Sequence, residues 1–181
     1  FEEAGAPVFG PRQAAAAIES SKSFAKAVME RAHVPTAGAQ VFDSLSDALA
    51  YIARTDPPWV VKADGLAAGK GVVMAPTRDE AGNALRPRLE DKVFGPAGET
   101  VLVEEWLTGQ EVSVFAFVDG EHVSSTTAAC DYKRVGDGDV GPNTGGMGSY
   151  GPPPFWNSAL ECQVREDILR PVAKELVRMG S

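Results

Sequence analysis

Apolar positions along this chain recur with two different periods, and each change of period marks an element. PRQAAAAIE is alanine-rich with Pro11 suited to a first turn, which predicts a helix. Ser21 can cap a second helix, KSFAKAVMERA, which closes before HVPT because Pro35 steers Val34 away from helical backbone. AQVF is a short strand, and Ser46 then opens a third helix, DALAYIAR, with Ala48, Leu49 and Ile52 at helical spacing. PPWVVKA and GVVMA are rich in Val and Trp and too short for helices, so they read as strands. Thr77 and Glu80 form a T-x-x-E capping box for a helix reaching about Glu90. TVLVEEW is a further strand. QEVSVFAFVDGEHVSSTTAA divides into two strands at Asp119-Gly120, a dipeptide that favours a type I′ hairpin turn. Residues 130–154 carry many Gly, Asp and Pro without an apolar period and read as a long loop, a length uncommon without a function. Asn157 can cap the last helix, and Pro171 predicts a kink in it.

The resulting order is helices, strand, helix, hairpin, helix, strand, hairpin, loop, helix. A Rossmann sheet would alternate strand and crossover helix. This order predicts an α+β fold with mostly antiparallel pairing. The 181 residues provide for one domain or for two small subdomains sharing a cleft.

Composition narrows the partners. A chain 44% hydrophobic and 23% charged has the make-up of a soluble globular protein. The net charge of −8 argues against a surface that wraps nucleic acid, while leaving room for a local basic site that holds one phosphate. No apolar run approaches the length that crosses a bilayer, and no signal peptide is visible, so neither nucleic acid nor membrane is an expected partner. Cys130 and Cys162 are the only cysteines and suit a reducing cytoplasm. His33 and His122 are far apart in sequence and read as structural or solvent-facing rather than as a metal pair. The start at FEEAGAPVFGP without Met, and the stop at VRMGS straight after a helical pattern, predict a piece of a longer protein.

Candidate chemistry begins at KADGLAAGKGVV, residues 62–73. A Walker A loop needs four residues between its glycines, Ser or Thr after the lysine, and a following helix. Here Gly65 and Gly69 enclose three residues, Gly71 follows Lys70, and a strand comes next. The remaining geometry is strand, glycine loop, strand, which can fold over a triphosphate and offer unobstructed backbone N–H groups. Lys62, on the entering strand, would point its ammonium at the phosphates. A Gly-rich turn with two solvated lysines explains the loop equally well. VEEWLTGQEVS tips the balance, because it sets Glu104, Glu105 and Glu111 around an apolar linker directly after a strand. Such a hinge can pair its backbone with an adenine edge while a carboxylate accepts from ribose hydroxyls. Loop and hinge together favour nucleotide binding over an acidic strand end facing water.

Across GPRQAAAAIESSKSFAK, VPTA, VVKADGLAAGKGV, VEEWLTGQEVSVFAFVDG and DYKRVGDGDVGPNTGGMGSYGP, the chain resembles the ATP-grasp ligases. Within them it is similar to the branch that joins glycine to 5-phosphoribosylamine, which the last stretch distinguishes. The resemblance implies an ATP-grasp fold, with residues 1–34 as a helical lead-in. Residues 35–107 would be the lid subdomain ending in the hinge strand, and 108–181 the first part of a second subdomain. It implies that ATP phosphorylates the glycine carboxylate and that the amine of 5-phosphoribosylamine attacks the glycyl phosphate, in the cytoplasm, in purine synthesis. No protein nucleophile is then required; alignment and charge neutralisation carry the reaction.

By the same resemblance Lys22 and Lys62 contact ATP phosphates, and Asp64, Gly65, Gly69, Lys70 and Gly71 belong to the loop over them. Glu104 and Leu107, with Glu105 beside them, match the adenine hinge, and Glu111 matches the ribose carboxylate. Asp131, Lys133, Arg134, Asn143, Thr144, Gly145, Gly146 and Met147 would shape the site for ribose phosphate and glycine. Lys62, Lys133 and Arg134 are the candidate catalytic residues, a lysine–arginine pair suiting a phosphate monoester. Mg²⁺ or Mn²⁺ is implied, with its ligands outside this chain. A different ATP-grasp carboxylate–amine ligase and a nucleotide-binding module without chemistry are the alternatives.

Overall fold

The computed structural model describes residues 2–67, 71–138 and 140–181, without the side chains of Glu2 and Asn143. Two helices open the chain, α1 (Gln13–Ser20) and α2 (Lys22–Arg31). Ser21 separates them and caps α2 by accepting from the Phe24 N–H at 3.1 Å. Then follow β1 (Ala39–Phe42), α3 (Leu45–Arg54), β2 (Trp59–Ala63), β3 (Val72–Ala75), α4 (Arg78–Leu89) and β4 (Val101–Glu105). Thr77 caps α4 as the capping box predicts, accepting from the Glu80 N–H at 3.3 Å and donating to its carboxylate at 2.7 Å. The third helix starts earlier than the sequence suggested. Ser44, not Ser46, is its cap, and the earlier start places Leu45, Ala48, Leu49 and Ile52 on one buried stripe.

The strands β1-β4-β2-β3 form one sheet, antiparallel at every junction. Because side chains alternate along a strand, this register sorts them onto two faces. Trp59 and Val61 of β2, Val101 and Val103 of β4, and Ala75 of β3 turn to one face. There they pack against Ala48 and Ile52 of α3 and Ala81, Ala84 and Leu85 of α4. Val60 lies opposite Glu104 and Lys62 opposite Leu102, so both charged residues emerge on the other face.

The second half carries β5 (Ser113–Phe115), β6 (Val118–Asp119), β7 (His122–Val123), β8 (Thr127–Gly136) and β9 (Val140–Tyr150), with α5 (Ser158–Val164) and α6 (Arg170–Arg178). Strands β5-β8-β9 form a sheet and β6 and β7 a small hairpin. Asp119 pairs with His122, so the two turn residues are Gly120 and Glu121, one position later than the sequence reading placed them. Gly120 has φ 57°, at the place a type II′ turn reserves for glycine. Residues 130–154 are not a loop throughout: most of β8 and all of β9 fall there. Most side chains of this hairpin are exposed, and without a buried face it has no apolar alternation to betray it. Its ladder is irregular. Between the pairs Tyr132–Gly148 and Arg134–Asn143, two steps along β8 span five along β9, a bulge at residues 144–147.

Asn157 caps α5 by accepting from the Ala159 and Leu160 N–H groups, both at 3.0 Å. Near Pro171, where a kink is expected, a π-helical turn spans Arg165–Leu169, just upstream. Proline offers no N–H to the carbonyl one turn earlier, and the widened turn accommodates that loss.

Candidate functional site

A cleft of about 1030 Å³ opens on the charged face of the four-stranded sheet. One wall is helical: Ile18 comes from α1, and Lys22, Lys26 and Met29 come from α2 at spacings of four and three, which put them on one face of that helix. The opposite side consists of Lys62 from β2, Glu104 from β4 and the segment 66–67 and 71–72.

Glu104 is the electrostatic centre of the cleft. It is only 4% exposed, and a buried carboxylate is tolerable only when paired. Two lysines pair it: Lys62 Nζ lies 2.5 Å from Oε2 and Lys26 Nζ 3.5 Å from Oε1. Lys26 is fixed further by donating to Thr36 Oγ1 at 2.8 Å and to the Ala37 carbonyl at 2.7 Å. Lys22 donates to the carbonyls of Asp64 at 3.2 Å and Gly65 at 3.1 Å, at the entrance of the glycine loop. Three ammonium groups thus face one space.

Asp64, at the start of the glycine loop, is engaged by α2. Its Oδ1 accepts from the Ser23 N–H at 2.6 Å and its Oδ2 from the Ser21 hydroxyl at 3.0 Å. A carboxylate there satisfies the unpaired donors and positive end of α2, so Asp64 fastens the loop to the helix that carries Lys22. Gly65 donates to the Ala97 carbonyl at 3.0 Å, and a Cβ on it would lie 2.7 Å from Ala97 Cα. Gly71 accepts from the Ala63 N–H at 2.9 Å, closing the loop's base. Gly69 and Lys70 lie outside the described residues. Leu66, Val72 and Leu107 line the cleft while 68%, 45% and 61% exposed, leaving apolar surface for a flat ring.

Several expected site residues do not line this cleft. Glu105 has the strand parity opposite to Glu104, and its carboxylate accepts instead from the Gly38 N–H at 3.3 Å. Glu111 is exposed on the connection after β4, away from the cleft lining. Asp131, Lys133, Arg134, Thr144, Gly145, Gly146 and Met147 sit on the β8–β9 hairpin and form a group of their own. There Lys133 pairs with Asp131 at 3.1 Å, and Arg134 donates to the Gly141 carbonyl at 2.8 Å. The Thr144 hydroxyl donates to the Lys133 carbonyl at 2.9 Å and accepts from the Gly146 N–H at 3.0 Å, which pins the bulge. Asn143 pairs with Arg134 through its backbone. Sequence reasoning missed Lys26. Its signal was the four-residue step from Lys22, which sets both on one helix face.

A glycine-loop hairpin, a cationic cleft and an acidic hinge strand on an antiparallel sheet define an ATP-grasp protein. The D-alanine–D-alanine ligase of Bacillus anthracis shares the fold, with a TM-score of 0.68 over 97% of this chain and 55% of that one, at 18% identity. Residues 20–181 match the model of the phosphoribosylglycinamide synthetase ATP-grasp (A) domain, and the chain belongs to that family. The phosphoribosylamine–glycine ligase of Vibrio parahaemolyticus is 45% identical over all 181 residues, which span 42% of its length. The crystal structure of phosphoribosylamine–glycine ligase from Thermotoga maritima matches 96% of this chain with a TM-score of 0.86 and 33% identity, over 44% of its own length.

Proposed function

We propose that the chain is the ATP-binding core of an ATP-dependent ligase that joins glycine to 5-phosphoribosylamine in purine synthesis. The observation that carries this reading is the convergence of Lys22, Lys62 and the buried Glu104 on an apolar-edged cleft beside the glycine loop. In the reaction, the glycine carboxylate takes the γ-phosphoryl group of ATP, leaving ADP. The amine of 5-phosphoribosylamine then displaces phosphate to form the amide of glycinamide ribonucleotide.

Lys22 and Lys62 hold the triphosphate under the loop formed by residues 64–71, Lys70 included. Leu66, Val72 and Leu107 flank the purine, Glu104 and the backbone at Leu107 meet the adenine edge, and Glu111 reaches the ribose. Lys133 and Arg134 do not line the cleft, so their part is to hold the phosphate ester of the second substrate. Asp131 and the bulge from Asn143 to Met147 complete that subsite and admit glycine.

The buried carboxylate of the cleft, Glu104, has both oxygens engaged by lysines and offers magnesium no free ligand. Among the described residues no group of three His, Cys, Asp or Glu side chains could hold a metal ion. Mg²⁺ prefers six oxygen ligands and keeps one or two carboxylates of the protein. We therefore place the ligands of Mg²⁺ or Mn²⁺ in the remainder of a longer protein. The division at 34/35 and 107/108 belongs to the same reading; all of β1–β4 falls within 35–107 and all of β5–β9 within 108–181. No described helix is long and apolar enough to cross a membrane. A cytoplasmic setting, with small-molecule substrates rather than nucleic acid or membrane as partners, completes the proposal.

Titration calorimetry with a non-hydrolysable ATP analogue tests it. Lys62→Ala is expected to weaken binding by about 1.5–3 kcal/mol, the range for a hydrogen bond to a charged group. Unchanged affinity would remove Lys62 from the site and the reading with it.

A further inference from the structure

We infer that Lys26 is the resident counter-ion of Glu104, holding this buried carboxylate in place when Lys62 turns to a nucleotide phosphate. The inference rests on the nucleotide reading above and assigns a positioning residue within the same cleft.

The two lysines that pair Glu104 are not equivalent. The side chain of Lys62 is 28% exposed, and Glu104 is its only side-chain partner among the described residues. The side chain of Lys26 is 16% exposed and tied at two further points, the Thr36 hydroxyl and the Ala37 carbonyl. Both anchors belong to the segment entering β1, which is hydrogen-bonded to β4 beside Glu104, with Ala39 opposite Glu104. Lys26 therefore joins α2, the start of β1 and the hinge strand at one ammonium group. Lys62 is free to exchange one anionic partner for another; Lys26 is not.

A triphosphate entering the cleft competes with Glu104 for Lys62. If Lys62 moves to the phosphate, Glu104 is left nine-tenths buried beside a strongly anionic ligand. An unpaired carboxylate there would turn away or repel the phosphates. Lys26 on its other oxygen removes both outcomes. Among the described residues, the remaining charged groups lining the cleft are Glu19 and Lys22. Lys22 is held by the loop carbonyls and cannot substitute for Lys26. Lys26 thus raises affinity for a phosphate it need not touch.

A double-mutant cycle tests the coupling in the complete protein, with equilibrium binding of a non-hydrolysable ATP analogue as the readout. Lys26→Gln removes the charge while keeping a donor for Thr36 and Ala37; Lys26→Met serves if that variant does not fold. With Glu104 present, either substitution is expected to weaken binding about tenfold, and Lys26→Arg to restore it. With Glu104→Gln, the same substitution is expected to cost little, because the charge it neutralises is gone. A ratio of the two losses above about fivefold supports the inference, and a ratio at or below that overturns it. If Lys62→Ala leaves affinity unchanged, the nucleotide reading itself falls. If Lys62→Ala weakens binding and the Lys26 cycle is additive, only the role of Lys26 falls.

Discussion

Gly65 sits where two backbones come closer than any side chain permits. A methyl group there would meet both Cα and Cβ of Ala97 at 2.7 Å, and Ala97 also accepts the Gly65 N–H, so neither strand of chain can give way cheaply. Gly65→Ala is expected to cost about 1–3 kcal/mol of stability through overpacking, read as a lower urea midpoint with an unchanged m-value. It should also weaken ATP binding, since Lys22 is held by the Gly65 carbonyl. A variant as stable as the parent would mean the loop entrance is looser than its contacts indicate. At this scale the sequence is informative where a side chain stands next to a recognisable loop or hinge. Lys62 can be named because it lies on the strand entering the glycine loop, and Glu104 because it ends a strand just before an apolar linker. Asp64 and Lys26 could not be assigned their roles. Their partners, Ser23 for one and Glu104 for the other, are distant in the chain and are brought near only by the packing of α2 on the sheet.

Elements were legible to the extent that one face of each is buried. β2 and β4 present Val61, Val101 and Val103 to a core and are legible as strands; β8 and β9 expose most of their length and read as loop from residue 130 onward. Inside α4 lies a residue that no pattern foretold. Arg88 is 4% exposed, and its Nη1 donates to the Ala84 carbonyl at 2.6 Å. Its Nε has no hydrogen-bond partner among the described residues. The guanidinium stands 5.2 Å from the Phe94 ring centre, and burial pulls its pKa below the usual value of an arginine. A cation–π contact returns about 0.5–2 kcal/mol, whereas an unpaired buried charge costs several. Arg88→Met keeps the apolar stem and removes the charge, so it is expected to stabilise the fold by about 1 kcal/mol. Chemical denaturation measures this directly; a lower midpoint would show that the ring and carbonyl contacts outweigh desolvation.

Over the whole molecule, a chain of net charge −8 concentrates three lysines in one cleft, so attraction for a polyphosphate is local rather than general. The described lining of the cleft comes from α1, α2, residues 35–37, β2, residues 66–67 and 71–72, β4 and Leu107, and none of it from the hairpin that carries Lys133 and Arg134. Binding and transfer therefore make different demands on this chain. On the proposed reading, the nucleotide needs only the cleft. Transfer of a phosphoryl group needs a metal ion to offset charge, a contribution of several kcal/mol, and the described residues offer no cluster to hold one. The 181-residue chain is accordingly expected to bind the ATP analogue yet to release ADP, with glycine and 5-phosphoribosylamine present, at least roughly 1,000-fold more slowly than a complete relative. Analogue binding in the same preparation shows that the chain is folded, so slow turnover cannot be put down to denatured protein. Glycinamide ribonucleotide formed at a rate near that of the complete enzyme would place the metal site among these residues and overturn the division of labour argued here.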